Sequence, residues 1–208
     1  MKTKLDANRR IFNAALKEFS TYGFSGARMD RIAKEAKINK AMIFYYFSSK
    51  EKLYELVIRD VFSGIYPKML ELLSSDPSAG EFLERATEIY VGIFSRSPEF
   101  VKMIALELIQ NPDNLRSYIR GMFDSNEHAP ASTGPVRIRE LVEKWFAEGS
   151  ITEGDPFQFM LNLSSLSLLS FLGKPFLEAV FQLSVPPEEF EKKRIESVVN
   201  LLKRGMLT

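Results

Sequence analysis

Residues 28–56 read RMDRIAKEAKINKAMIFYYFSSKEKLYEL, and the spacing within this stretch decides the fold. Met29, Ile32, Ala33 and Ala36 recur at helical spacing and line one side of a short amphipathic helix, Arg28 to Ala36. Lys37-Ile38-Asn39 breaks that pattern. Asn39 is suited to an N-cap, because its side-chain oxygen can accept an orphan backbone N–H. A second short helix then runs from Lys40 to Phe47. Ile43 and Phe47 stand at i, i+4 and are expected to face inward. Lys40, Ala41, Met42, Tyr45 and Tyr46 are left to face outward. Ser48-Ser49 interrupts again, and Ser49 can cap a long helix from Lys50 whose stripe includes Leu53, Leu56, Val57, Val61 and Ile65.

Upstream, Ile11, Ala15 and Phe19 repeat at i, i+4 and predict a helix over about Leu5 to Tyr22. Gly23 can take the left-handed position after its last turn, and Phe24 can pack back onto it. Three helices with a tight turn between the second and third form a helix-turn-helix pattern. Its physics suits duplex DNA: the second helix braces on the backbone, and the third offers its N-terminal residues to base edges in the major groove. Aromatic rings beside a lysine on an outward helix face are unusual for a solvated surface. The bland reading of Tyr45 and Tyr46 is that they complete a core.

Over residues 7–56 the chain resembles the TetR family of transcriptional regulators. The matching pieces are residues 11–19 (IFNAALKEF), Gly23-Phe24, residues 29–36 (MDRIAKEA) and residues 44–53 (FYYFSSKEKL). The resemblance implies a cytoplasmic homodimer on a palindromic double-stranded DNA operator, usually released by a small-molecule effector. It places Asn39, Lys40, Ala41 and Met42 at the groove-entering start of the recognition helix. Tyr45 corresponds to an aromatic that contacts bases or thymine methyls, and Tyr46 and Lys50 to phosphate contacts. Lys50 also opens a helix, where backbone N–H groups favour phosphate. Arg28 is a backbone contact or a solvated charge; Lys2, Lys4, Arg9 and Arg10 stand between the same two readings. Two positions depart from the pattern. Phe44 replaces a common Tyr and offers only apolar contact. Lys37 replaces a common Gly in the turn.

Downstream the chain reads as helix throughout. Pro67 predicts a kink or break. Further helices are expected at about 79–96, 98–110, 112–123, 135–149, 156–173 and 187–205, with 125–134 a polar loop. The fold class is therefore all-α: a helix-turn-helix DNA-binding domain at residues 1–50 and a helical ligand-sensing and dimerisation domain at 51–208. Residues 61–208 hold 12 of the 17 Phe and 5 of the 8 Met, material for an adaptable apolar pocket or for ordinary core. Phe82, Ile89, Phe94, Phe100, Met103, Ile104, Glu107 and Phe123 occupy the middle helices, where the family places its ligand. They suggest a small apolar or amphipathic effector. The uncharged helix after Pro156 is too polar for a membrane span and reads as a buried helix. With the last helix it is expected to form a four-helix dimer interface through Phe159, Leu163, Ser167, Ser170, Phe171, Ile195, Val198, Val199 and Leu202.

Composition closes off other classes. The 208 residues include no cysteine and one histidine, His128 in the polar loop. Disulfides, thiolate nucleophiles, Cys or His metal sites and two-histidine acid–base chemistry are excluded. No cofactor, metal or enzymatic activity is expected. The net charge of +1 conceals a division. Residues 1–60 hold 13 Lys and Arg against 7 Asp and Glu, a surplus of +6; the remaining 15 and 20 leave −5. A basic head and an acidic body suit docking on DNA through the head. A DNA-binding scaffold without an effector is the alternative.

Overall fold

The first turn of the molecule ends where its sequence loses the right to stay helical. Helix α1 (Lys2–Gly26) is broken at Gly23, whose φ of 66° and ψ of 176° lie outside the helical region. A Cβ there would sit 2.5 Å from the side-chain amide oxygen of Gln110, which can swing aside, so it is the backbone angle that calls for glycine. The computed structural model describes residues 2–113, 115–117, 120, 133–152 and 154–208. Among the described residues the helices are α1, α2 (Met29–Ala36), α3 (Lys40–Phe47), α4 (Lys50–Ser74), α5 (Ala79–Arg96), α6 (Pro98–Gln110), α7 (Thr133–Ala147), α8 (Pro156–Phe181) and α9 (Pro187–Met206). One isolated antiparallel bridge joins Ile151 to Leu207. The chain is all-α, as its periodicity predicts. The expected helix at 112–123 and the loop at 125–134, with Phe123 and His128, lie largely or wholly outside the described residues.

The chain packs as two units, Met1–Ser63 with Glu99–Met122, and Gly64–Pro98 with Phe123–Thr208. The first unit thus joins α6 to the helix-turn-helix helices and the first half of α4. In the first unit Ile11, Phe19, Ile32, Ile43, Leu53 and Val57 are fully buried. The Phe24 ring packs back as predicted, stacked 6.4 Å from Phe19 and edge-on 5.0 Å from Tyr54. Asn39 accepts the Ala41 N–H at 2.9 Å and so caps α3, and Ser49 accepts the Lys52 N–H at the start of α4. Phe47 is only half-buried, so Ile43 alone anchors α3 inward.

Lys37 takes the left-handed conformation, φ 54° and ψ 47°. A side chain there costs about 1 kcal/mol relative to glycine. Lys37→Gly is therefore expected to stabilise the head by roughly 0.5–1 kcal/mol, read as a rise of about 2 °C in the thermal midpoint. An unchanged or lowered midpoint would show that the strain is absorbed elsewhere.

The second unit is built around an aromatic cluster. Trp145 lies 5.5 Å from Phe82 and 5.9 Å from Phe159, and its indole N–H donates to the Pro77 carbonyl. Leu72, Leu83, Leu141, Leu163, Val198 and Leu202 complete this core. Helix α4 runs through Pro67 without the predicted break. The carbonyl that proline leaves unbonded is that of Ser63, which is exposed and can be served by water. Helix α8 likewise continues past the expected end at Gly173, through Pro175 to Phe181. Left-handed Gln182 closes it, and a Lys174–Glu178 ion pair of 2.6 Å staples its last turns.

One expectation about α8 is corrected. Within the chain the helix is not a buried one: only Phe159, Leu163 and Ser167 are buried, and by length and composition it could cross a membrane. Its serines need no polar neighbours. Ser164 and Ser167 donate back to the carbonyls of Met160 and Leu163, four residues earlier. The expected interface residues fall into two groups within the chain. Phe159, Leu163, Ser167, Val198 and Leu202 are spent on the unit's own core, and Ser170, Phe171, Ile195 and Val199 are half-buried. The opposite stripe is the open one: Phe157, Leu161, Leu169, Leu172, Phe176 and Val180 are exposed. With no charge between Pro156 and Gly173, sequence alone does not mark which apolar side turns inward.

Candidate nucleic-acid interface

The first unit presents α3 outward. Ile43 is fully buried beneath it, whereas Ala41, Met42 and Phe44 are exposed and Tyr45 is 78% exposed. Tyr45 and Tyr46 meet edge to face at 5.5 Å, which holds two large rings at the helix surface instead of in the core. The core reading of this pair therefore fails for Tyr45, and Tyr46 is half-buried. Asn39 spends its side-chain oxygen on the α3 cap, leaving its amide N–H₂ group as the donor it can offer outward.

The cations around this face divide into two sets. Lys40 pairs with Asp30 at 2.9 Å, Lys17 with Glu35 at 2.7 Å, and Lys52 with Glu55 at 2.7 Å. The Lys17 bond holds the Glu35 carboxyl below its ordinary range and raises the Lys17 ammonium. Among the described residues no such pair engages Arg28, Lys34, Lys37 or Lys50. Arg28 stands at the N-cap position of α2 with its side chain exposed and not used in capping, and Lys50 opens α4 with its ammonium 4.7 Å above the Phe24 ring. Glu51, beside it, is held below the usual carboxylate range by its own backbone N–H and then by Ser49. A row of exposed aromatic and apolar side chains flanked by unpaired cations can contact base edges and phosphates together.

Two carboxylates hold backbone of the head in place, Glu18, which the sequence reading passed over, and Glu107, which it assigned to an effector. Glu18 is nearly buried and accepts both the Arg28 backbone N–H (2.9 Å) and the Arg31 guanidinium (2.7 Å), fixing how α2 starts. Glu107 accepts the Phe24 N–H at 2.8 Å. Their partners lie 10 and 83 residues away, and no local pattern announces either.

The candidate ligand residues are divided between the units. Phe100, Met103, Ile104 and Glu107 belong to the first and are buried there, with Phe100 edge-on to Phe62 at 5.7 Å. Phe82, Ile89 and Phe94 belong to the second, where Phe82 is in the tryptophan cluster and Phe94 packs on Phe171. Two cavities in the second unit have other linings. One, of about 580 Å³, lies between the α4–α5 turn, the end of α7 and Thr208. The other, of about 280 Å³, lies between the α8 C-terminal half and Phe190 and Arg194 of α9.

Residues 11–57 match the family model for bacterial regulatory proteins of the tetR family. The chain is 32% identical over 143 residues to the transcriptional repressor NicS of Pseudomonas putida. The chain belongs to the TetR family. The NicS alignment covers 67% of this chain and 63% of NicS. The transcriptional regulator RutR of Escherichia coli is 24% identical over 204 residues, 95% of this chain and 89% of RutR. The fold extends to the regulator FadR of Bacillus subtilis, solved in complex with stearoyl-CoA, with a TM-score of 0.62 at 15% identity over 92% of this chain and 97% of FadR. As a TetR family member the protein is a helix-turn-helix transcriptional regulator and not an enzyme.

Proposed function

We propose that two copies of the chain pair through the open stripe of α8 and read a palindromic operator with their α3 helices. The complex represses transcription in the cytoplasm until a small apolar or amphipathic effector is bound. The observation that carries this reading is Tyr45, held outward at 78% exposure on a helix whose opposite side is locked by Ile43. Arg28, Asn39, Lys40, Ala41, Met42, Tyr45, Tyr46 and Lys50 would form the contact surface. The exposed apolar stripe of α8 supports pairing, because so many large apolar side chains on one helix face are seldom left to water. Effector binding would favour a spacing of the two heads other than the one-turn separation of about 34 Å between successive major grooves.

The stearoyl-CoA held by FadR agrees with an amphipathic effector. One observation favours a second reading, a DNA-binding scaffold without an effector. Of the residues expected to line a pocket, Phe82, Phe94, Phe100, Met103, Ile104 and Glu107 are buried and Ile89 is half-buried, and neither described cavity includes them. A fluorescence titration separates the readings. A selected palindromic duplex should bind at least 10³-fold tighter than a random one at moderate salt. Long-chain acyl compounds should release it if an effector is used. Equal affinity for both duplexes would defeat the operator, and release by no lipophilic compound would favour the scaffold.

A further inference from the structure

Glu107 has no exposed surface. Its Oε1 accepts the Phe24 N–H at 2.8 Å, and its Oε2 has no hydrogen-bond partner. A buried carboxylate oxygen without a partner is costly, so the geometry asks what the other oxygen achieves. The break at Gly23 takes Phe24 out of the helical ladder and leaves its N–H to be satisfied from outside α1. Glu107, on α6, supplies a charge-assisted acceptor there. The Phe24 ring in turn lies against Tyr54 and Phe19 and carries the Lys50 ammonium 4.7 Å above it. All of these residues belong to the first unit.

We infer that Glu107 is a positioning residue for DNA binding: it fixes Phe24, whose ring seats Lys50 at the start of α4 for a phosphate. This inference rests on the DNA-binding reading above and assigns Glu107 to the head instead of to an effector. Lys50 then meets phosphate from a prepared position at the start of α4.

The test uses the full chain and two readouts, amide exchange at residue 24 without DNA and the salt dependence of duplex binding. Glu107→Gln keeps an acceptor and should leave both unchanged. Glu107→Leu should speed exchange at Phe24 about tenfold or more and lower the salt slope by about 0.9, the loss of one phosphate contact. Phe24→Leu keeps the amide but removes the ring, so exchange should stay slow while the slope falls equally. Lys50→Gln should lower the slope by the same amount, and adding Glu107→Leu to it should lower it no further. The inference is overturned if Glu107→Leu leaves the slope intact, or if its effect adds to that of Lys50→Gln. It is also overturned if Phe24 exchange is indifferent to residue 107. Should Glu107→Leu not fold, the Phe24→Leu and Lys50→Gln pair still decides whether the ring seats the lysine. Failure of the wild-type protein to bind any duplex would mark the DNA reading as the fault, and the exchange data would stand apart from it.

Discussion

Phe176→Glu is expected to turn a dimer into a monomer and to weaken palindromic binding about 100-fold. Phe176 is 69% exposed in the single chain, so glutamate there costs the subunit little. In a two-fold interface the residue occurs twice. Burying each unpaired carboxylate against an apolar face costs several kcal/mol, so the dimer constant should weaken by about 10³-fold or more. The two heads would then lose the effective concentration that pairing gives them, and each would bind its half-site alone. Sedimentation over a concentration series reads the first effect and duplex titration the second. Leu163→Ala is the contrasting substitution. Leu163 is fully buried in the unit's own core, so its truncation should cost about 2–5 kcal/mol of stability and leave the dimer constant unchanged. If Phe176→Glu stays dimeric while Leu163→Ala dissociates, the pairing face is the one first read from the sequence and not the open stripe.

That contrast shows where the sequence was legible. The head was readable because each of its signals is local. Asn39 caps two residues on, Gly23 breaks its own helix, and Met29, Ile32, Ala33 and Ala36 make one stripe within eight residues. The helix starts at Ala79, Pro98, Pro156 and Pro187 were readable for the same reason. Pro67 did not break its helix, because the carbonyl it leaves unbonded, that of Ser63, is exposed. The faces of α8 were unreadable because both are apolar, and burial is set by how α5, distant in sequence, and α9 pack against it. Glu107 was unreadable in a stronger sense. Among Met103, Ile104, Leu108 and Ile109 a carboxylate suggests a ligand or solvent, whereas its partner is a backbone N–H 83 residues away. The effector residues fall between these cases. Their apolar character was plain, but core and pocket use the same residue types.

Tyr45→Ala is expected to lower operator affinity by about 30- to 10³-fold while leaving folding stability within about 0.5 kcal/mol of the wild type. The asymmetry follows from its position. Its ring meets the edge of Tyr46 and otherwise faces solvent, so the fold loses little when it is cut back. On DNA the same ring would pack on base edges and thymine methyls. Each subunit would lose about 1–2 kcal/mol of contact, and a palindrome counts that loss twice. Binding to random duplex should fall far less, since phosphate contacts supply that affinity and Lys50 and Arg28 are untouched. Tyr45→Phe keeps the ring and should stay within tenfold of wild type. The salt slope should not change in either variant, because no cation is removed. Equal losses on operator and random duplex, or a slope that falls, would mean that Tyr45 serves the backbone and that the bases are read by Asn39, Ala41 and Met42.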